Sequence, residues 1–462
     1  MDLIAALQRV VGKDGVKSKD KELKAYQNDK SYISGKSPEA VVLPSNAKQV
    51  SEILKLCNSN GIGVVARGGG SSLTGSSVPY PKSIVLDLSR MNRILETRIE
   101  DGYLVAEPCA TIDEINKHLE NHEYFYPPDP ASSGFATLGG TISTNAGGLR
   151  AIMYGSTKEW VLGLEVVLPS GEIINTGSRT LKRSLGYDLT GLVVGSEGTL
   201  GVVTKAIIKI IPRPESIGRI LAYYKRFEDA ARAVEEIKRK GITPLIAEFM
   251  DRTSMELMAE AKRLPFPERA NCMLLIDIAT TKDSLDRFIG ISETALRKHD
   301  PILVNTAKSR VDMERLHAAR KLLFMATEEK AKSTGRSVIV ADAIVPPSEM
   351  PSALAEVQKA MKKVGLEAVL FGHIGDGNIH VNILANLKTQ RAKAEGFLEA
   401  LGEIALDHNG SVSGEHGIGL EKKGLLIKEL KKRDSIEVLR LMKEIKKSFD
   451  PKGILNKGKI FD

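Results

Sequence analysis

The chain reads as an α+β protein of at least two domains, and three features of its sequence point there. From Ala40 to about Pro212, short β-rich runs are broken repeatedly by glycine. Pro212-Arg213-Pro214 then interrupts the pattern like a domain junction. Beyond it, amphipathic helical stretches alternate with strand-like runs, an order expected of an α+β domain with an antiparallel sheet. A length of 462 residues suffices for two or three domains with cores of their own.

Taken in order, residues 1 to about 30 read as helices. Strands are expected at 40–43, 63–66, 84–88, 104–106 and 164–168. Helices intervene at 46–60, where Asn46 is the cap and Pro44 lies just before it, and at 111–120, where Thr111 and Glu114 have the spacing of a capping box. Past the junction, a helix is expected at 227–240, strands at 247–250 and 273–278, and a helix at 314–330. Near the C-terminus Ile436, Leu439, Met442, Ile445 and Phe449 follow helical spacing, which predicts a core-packed helix with a solvated basic face. The expected domains are N-terminal helices at 1–35, a glycine-rich domain at 36–213, a second domain at 214–420 and a helical segment at 421–462.

Composition narrows the function. With 42% apolar and 27% charged residues the chain is that of an ordinary soluble protein. No apolar run approaches the length of about 20 residues that spans a bilayer, and Met1-Asp2-Leu3-Ile4 opens like a helix rather than a signal peptide. Cys57, Cys109 and Cys272 are too far apart for a disulfide framework or an iron–sulfur cluster, so a reducing, cytoplasmic setting is expected. A net charge of +8 invites a nucleic-acid reading, but the basic residues have acidic neighbours and aromatic residues are only 5%, so no base-stacking stripe exists. The basic C-terminal region leaves a secondary reading of peripheral contact with an anionic membrane surface or an acidic redox partner.

Two sets of motifs carry chemistry. Arg67-Gly68-Gly69-Gly70-Ser71-Ser72-Leu73-Thr74-Gly75 follows a strand but lacks both the helix of a dinucleotide fingerprint and the Gly-Lys-Ser/Thr of a Walker loop. Its amides are expected to bind an anion as a loop. Further clusters occur at Gly139-Gly140-Thr141-Ile142-Ser143-Thr144-Asn145-Ala146-Gly147-Gly148 and at Gly195-Ser196-Glu197-Gly198-Thr199-Leu200-Gly201. One cluster would be a set of tight turns; three in one domain point to an extended, phosphate-bearing ligand.

The second set is Gly372-His373-Ile374-Gly375-Asp376-Gly377-Asn378-Ile379-His380-Val381-Asn382, followed by Ser413-Gly414-Glu415-His416-Gly417. Residues 368–371 and 379–384 read as strands joined by the hairpin chemistry of 375–378, which sets His373 opposite His380 on one face. Two imidazoles so placed could share a cation, with Glu415 as third ligand; such a set suits zinc or a similar first-row ion and leaves a position open for substrate. The plainer alternative is an ordinary cross-strand histidine pair. Against it, the chain has only eight histidines, three of them in these two segments, and glycine on both sides of Glu415-His416 implies close approach of another group.

The three glycine clusters, with Gly186-Tyr187-Asp188-Leu189, resemble the FAD-binding domain of the vanillyl-alcohol oxidase / p-cresol methylhydroxylase superfamily. The histidine segments and the ending Asp450-Pro451-Lys452-Gly453-Ile454-Leu455-Asn456-Lys457-Gly458-Lys459 resemble its FAD- and metal-dependent D-2-hydroxyacid dehydrogenases, the branch of D-lactate dehydrogenase, the glycolate oxidase flavin subunit and D-2-hydroxyglutarate dehydrogenase. The resemblance runs from about Ala40 to the end. It implies a two-subdomain FAD-binding domain of the p-cresol methylhydroxylase type, an α+β substrate domain carrying the metal site, and a C-terminal segment returning to the FAD domain.

It further implies that Arg67, Gly68, Gly69, Gly70, Ser71, Ser72, Thr74 and Gly75 hold the FAD pyrophosphate. Pro130, Thr137, Gly139, Gly140, Ser143, Thr144, Asn145, Ala146 and Gly148 would contact the flavin and its ribityl chain, and Gly198, Val203 and Asn456 would border the cofactor. Relatives with covalent flavin often carry histidine in the first glycine loop; Ser71 and Ser72 stand in that region here, so non-covalent FAD is expected.

By the same resemblance a D-2-hydroxy acid loses its Cα hydrogen as hydride to flavin N5. His416 is the expected base, imidazole being suited to proton transfer near neutral pH. A divalent ion on His373, His380 and Glu415, zinc before manganese or iron, would lower the pKa of the substrate hydroxyl. Arg320 would pair the substrate carboxylate, Asn382 would contact the substrate, and Asp342 matches an acidic position of the family. Electrons would pass to an external acceptor: a quinone, a cytochrome, an electron-transfer flavoprotein or an iron–sulfur subunit. Relatives acting on D-2-hydroxyglutarate carry a lysine two residues before the position of Asp342, where this chain has Val340, so a short monocarboxylate is expected. The competing readings are an oxidase that uses dioxygen, a transferase of the alkyl-glycerone-phosphate synthase type, whose active-site histidine tract is missing here, and a metal hydrolase, which would leave the glycine clusters unexplained.

Overall fold

The computed structural model describes residues 2–262, 266–307 and 323–461. The chain forms two compact units, Met1–Gly148 with Gly155–Arg213 and Glu415–Asp462, and Leu149–Tyr154 with Pro214–Gly414. Glu415 and His416 thus belong by packing to the first unit, and the segment at 415–420, expected in the second domain, goes with it.

In the first unit Ala40–Val42, Ser83–Asp87 and Gly63–Arg67 form a parallel sheet. Their continuous apolar runs suit strands covered on both faces, and most of these residues are buried. The helix Ala47–Asn60 starts where Asn46 Oδ1 accepts from the Gln49 amide at 3.0 Å and ends at left-handed Gly61. It buries Val50, Ile53, Leu54 and Cys57 in the core cluster that also contains Ile84 and Leu86. The expected capping box of Thr111 and Glu114 opens the helix Ile112–Glu120. A five-stranded antiparallel sheet follows, ordered Ile94–Arg98, Tyr103–Ala106, Val202–Lys209, Val161–Val167, Ile173–Gly177.

Two expectations need correction. The N-terminal stretch is not all helical, because Val16–Lys17 adds to the parallel sheet as an antiparallel edge beside Ala40–Val42. The C-terminal helix Glu437–Phe449 has no fully buried residue: Leu439, Met442, Ile445 and Phe449 are half-buried and Ile436 is exposed, so its apolar face rests on the surface instead of entering a core. What enters the core is the tail after it, where Ile454 and Leu455 join the first unit's cluster and Ile454 O accepts from Val64 N at 2.8 Å.

The second unit, among the described residues, is built on a seven-stranded antiparallel sheet. Its order is Leu303–Ala307, Ser216–Tyr224, Cys272–Thr280, Ile246–Asp251, Glu367–His373, Asn378–Ala385, Ser337–Ile344. The helices Leu285–Arg297, Phe227–Arg239, Met350–Val364 and Arg391–Asp407 pack side by side in that order. Phe227 meets Phe249 edge-on across 5.6 Å, so these helices cover the face that Phe249 presents. Side chains alternate along a strand, so Glu248 and Met250 point to the other face, as do their cross-strand neighbours His373 and Phe371. Among the described residues, no helix is long and apolar enough to cross a membrane.

Candidate active site

Within the first unit the three glycine clusters come together. A Cβ on Gly69 would stand 2.0 Å from the carbonyl oxygen of Phe135, and one on Gly68 would stand 2.2 Å from Thr137 Oγ1, so only glycine lets the first loop lie against the start of the second cluster. That cluster is a short helix, Leu138–Thr144, capped by Thr137 Oγ1 accepting from the Gly140 amide and closed by Asn145 in the left-handed region. Gly148 backs onto Asp129 and Pro130. The third cluster is bonded to the same helix, Gly195 N donating to Ile142 O at 2.9 Å and Glu197 N to Ser143 O at 2.7 Å. Gly198 follows at φ +69°, and Val203 is buried in the strand beyond.

The chemistry of these loops fits a phosphate-bearing ligand. Among the described residues, the amides from Gly68 to Leu73 have no protein acceptor, although the loop is partly accessible. Such an array of amides is an anion-binding concavity. The Ser72 hydroxyl accepts from the amides of Thr74 and Ser76 and shapes the turn. Arg67 is committed within the unit: its guanidinium donates to the carbonyls of Tyr26 and Asn28, and burial lowers its pKa. Asn456 is buried, its Nδ2 donating to the carbonyls of Ser76 and Glu197.

Glu197 organises the segment that carries His416. Buried, and with its pKa raised by that burial, the carboxylate accepts from Ser76 Oγ and from the amides of Ile418 at 2.7 Å and Gly419 at 2.9 Å. Thr74 Oγ1 donates to the carbonyl of His416 at 3.2 Å. His416 Nε2 lies 3.7 Å from Glu415 Oε1, and a Cβ on Gly147 would meet the Glu415 carboxylate at 2.7 Å. His416 and Glu415 are therefore held against the first and second glycine clusters. Glu197 was read in the sequence only as part of a glycine cluster.

Within the second unit His373 and His380 meet, but in a register different from the one expected. His373 pairs with Asn378 and His380 with Phe371, so the turn occupies 374–377 and the pairing is displaced by two residues. A shift of two preserves the face, which is why the histidines still meet, as diagonal rather than opposed neighbours. Their Nε2 atoms are 3.4 Å apart, and both residues are buried. Two nitrogens bound tetrahedrally to one zinc at roughly 2.0–2.1 Å would stand about 3.3–3.4 Å apart, so the pair could hold such an ion.

Carboxylates stand behind both rings. Glu248, directly opposite His373, is hydrogen-bonded to its Nδ1. Asp342, directly opposite His380, lies 3.8 Å from its Nδ1 and accepts from Asn378 Nδ2, Ser413 Oγ and the Gly414 amide at 3.0, 3.1 and 3.0 Å. A Cβ on Gly414 would stand 1.6 Å from Asn378 Nδ2, so what approaches this glycine is a protein side chain. Asn382, on the same face as His380, is 0% exposed, and among the described residues neither atom of its amide has a partner. Leaving such a group unpaired costs about 1–3 kcal/mol, so the amide is available to a polar partner. Arg320 lies outside the described residues. Sequence reasoning missed Glu248; its one signal was a lone acid inside the apolar run 246–250.

Residues 38–177 match the family model described as FAD binding domain, and residues 213–460 match that described as FAD linked oxidases, C-terminal domain. The chain belongs to the FAD-linked oxidases. Among the chain's relatives, the glycolate oxidase subunit GlcD of Bacillus subtilis (strain 168) is 36% identical over 426 residues, covering 92% of this chain and 89% of the relative. D-lactate dehydrogenase of Archaeoglobus fulgidus is 34% identical over 420 residues, covering 91% and 90%. The fold is that of p-cresol methylhydroxylase, with a TM-score of 0.81 at 17% identity over 100% of this chain and 96% of the other. Among the described residues the cysteines form no pair: Cys57, Cys109 and Cys272 are free and buried, and burial pushes the thiols of Cys57 and Cys109 up to about 12.

Proposed function

We propose that this FAD-linked oxidoreductase oxidises a short D-2-hydroxy acid, D-lactate or a near homologue, to the 2-oxo acid. It would use non-covalent FAD and a divalent ion, zinc before manganese or iron. The observation that carries the reading is the meeting of His373 and His380 through their Nε2 atoms, 3.4 Å apart, on the same strand face as the unsatisfied amide of Asn382. A lone cross-strand histidine pair would not account for that buried amide. The names of the relatives, a glycolate oxidase subunit and a D-lactate dehydrogenase, support the substrate class.

When bound, FAD supplies the hydride acceptor and the divalent ion a Lewis acid that favours the substrate alkoxide. The remaining tasks fall to side chains. His373 and His380 offer ring nitrogens from neighbouring strands, with Glu415 proposed as the third ligand; Glu415 is the residue after Gly414, whose amide Asp342 holds. His416 takes the hydroxyl proton, and the bonds from Thr74 Oγ1 to its carbonyl and from the Ile418 amide to Glu197 restrict the backbone that follows it. Asn382 donates to and accepts from the substrate's polar atoms, and Arg320 pairs its carboxylate. Buried, separate cysteines offer no onward relay, so electrons pass to an external acceptor.

The decisive experiment is anaerobic mixing of the purified flavoprotein with a panel of D- and L-2-hydroxy acids. Rapid bleaching of the flavin by D-lactate and not by L-lactate is expected. Flavin that stays oxidised with every D-2-hydroxy acid would refute the reading.

A further inference from the structure

We infer that Glu248 is the positioning residue of His373, holding its ring proton on Nδ1 so that Nε2 is the atom left to bind a cation. The inference rests on the proposed metal reading of the histidine pair. Glu248 lies in the strand Ile246–Asp251, all of whose residues are buried, and is itself 0% exposed. A carboxylate is costly in such surroundings unless it is hydrogen-bonded. Its position directly opposite His373 in the antiparallel pair puts both side chains on one face, and the hydrogen bond between them closes there.

With Glu248 ionised and the ring neutral, that bond assigns the ring proton to Nδ1. An ionised carboxylate only accepts, so the nitrogen facing it must donate. A neutral imidazole has one N–H; fixing it on Nδ1 makes Nε2 the nitrogen that carries the lone pair able to ligate. That is the atom facing His380 Nε2 at 3.4 Å, with the two rings nearly perpendicular at 84°. Glutamine in place of Glu248 would fill the same volume but could turn its amide and donate to Nδ1, which would move the ring proton onto Nε2 and block it. The negative charge behind the ring also raises the basicity of the opposite nitrogen, and outer groups of this kind typically contribute 10–100-fold to metal affinity.

Two measurements test this. The first is 15N NMR of the histidine side chains in the wild-type flavoprotein, metal-free and then zinc-loaded. His373 is expected to carry a proton on Nδ1 in both states and, with zinc, to be bound through Nε2. A bare Nδ1 in either state would overturn the inference. The second is zinc affinity against a competing chelator for wild type and Glu248→Gln, with circular dichroism and thermal unfolding of both proteins confirming that the variant is folded. Roughly 10–100-fold weaker binding is expected for the variant, and unchanged affinity would count against the role. A wild-type protein that takes up no zinc would refute the metal reading alone, and the Nδ1 proton in that same sample would still decide the part assigned to Glu248.

Discussion

Val340 stands directly opposite Asn382 in the antiparallel pair of Ser337–Ile344 with Asn378–Ala385. Opposed residues share a face, so an apolar side chain borders the buried amide proposed to contact substrate. A second, distal carboxylate would find no cation at Val340, and burying an unpaired carboxylate costs several kcal/mol. D-lactate is therefore expected to exceed D-2-hydroxyglutarate in kcat/KM, and Val340→Lys to raise the relative efficiency of the dicarboxylate. Steady-state kinetics with both acids provide the check; a preference of the wild type for D-2-hydroxyglutarate would overturn the assignment.

The first glycine loop has serine, not histidine, at 71 and 72. FAD should therefore be released into the supernatant on acid precipitation, in stoichiometric amount. Flavin remaining with the pellet would show a covalent link.

His373 and His380 belong to the second unit and the glycine clusters to the first. Exhaustive chelation should accordingly abolish turnover while the flavin spectrum persists, and zinc or manganese should restore activity. Full activity in a preparation shown by elemental analysis to be metal-free would remove the metal from the mechanism.

His416→Ala is expected to slow flavin reduction by roughly 10²–10⁴, the usual contribution of general acid–base catalysis, with little effect on FAD content. Single-turnover stopped-flow measurement decides the matter, and a near-normal reduction rate would reject His416 as the base.

Asp251 makes a stability prediction independent of the active site. Burial pushes its carboxyl up to about 6, even though it accepts from the amide and hydroxyl of Ser254. A raised folded-state pKa means that the folded protein binds the proton more tightly than the unfolded chain. The stability contributed is complete below the unfolded aspartate value of about 3.9 and is lost as pH rises through about 6. Asp251→Asn, which keeps an acceptor for Ser254, should remove this loss. Relative to wild type, the variant should gain up to roughly 3 kcal/mol between pH 4 and 7, read as a widening difference in Tm. A difference that does not change with pH would contradict the assignment.

The caps at Asn46 and Thr111 and strands such as Ala40–Val42, Gly63–Arg67 and Ser83–Asp87 were legible from the sequence because each depends on residues within a few positions of one another. The shared face of His373 and His380 was legible for a similar reason: side chains alternate with a period of two, so a register error of two residues leaves the face unchanged. The pairing itself was not legible, since hairpin register depends on which turn the whole sheet accommodates. Nor were Glu248 behind His373, 125 residues away, or Glu197 bonded to Ile418, 221 residues away. No local spacing encodes those partners. They are brought together only when the strands around them bury their apolar side chains, and a buried carboxylate is then tolerable only where the fold has placed a donor beside it.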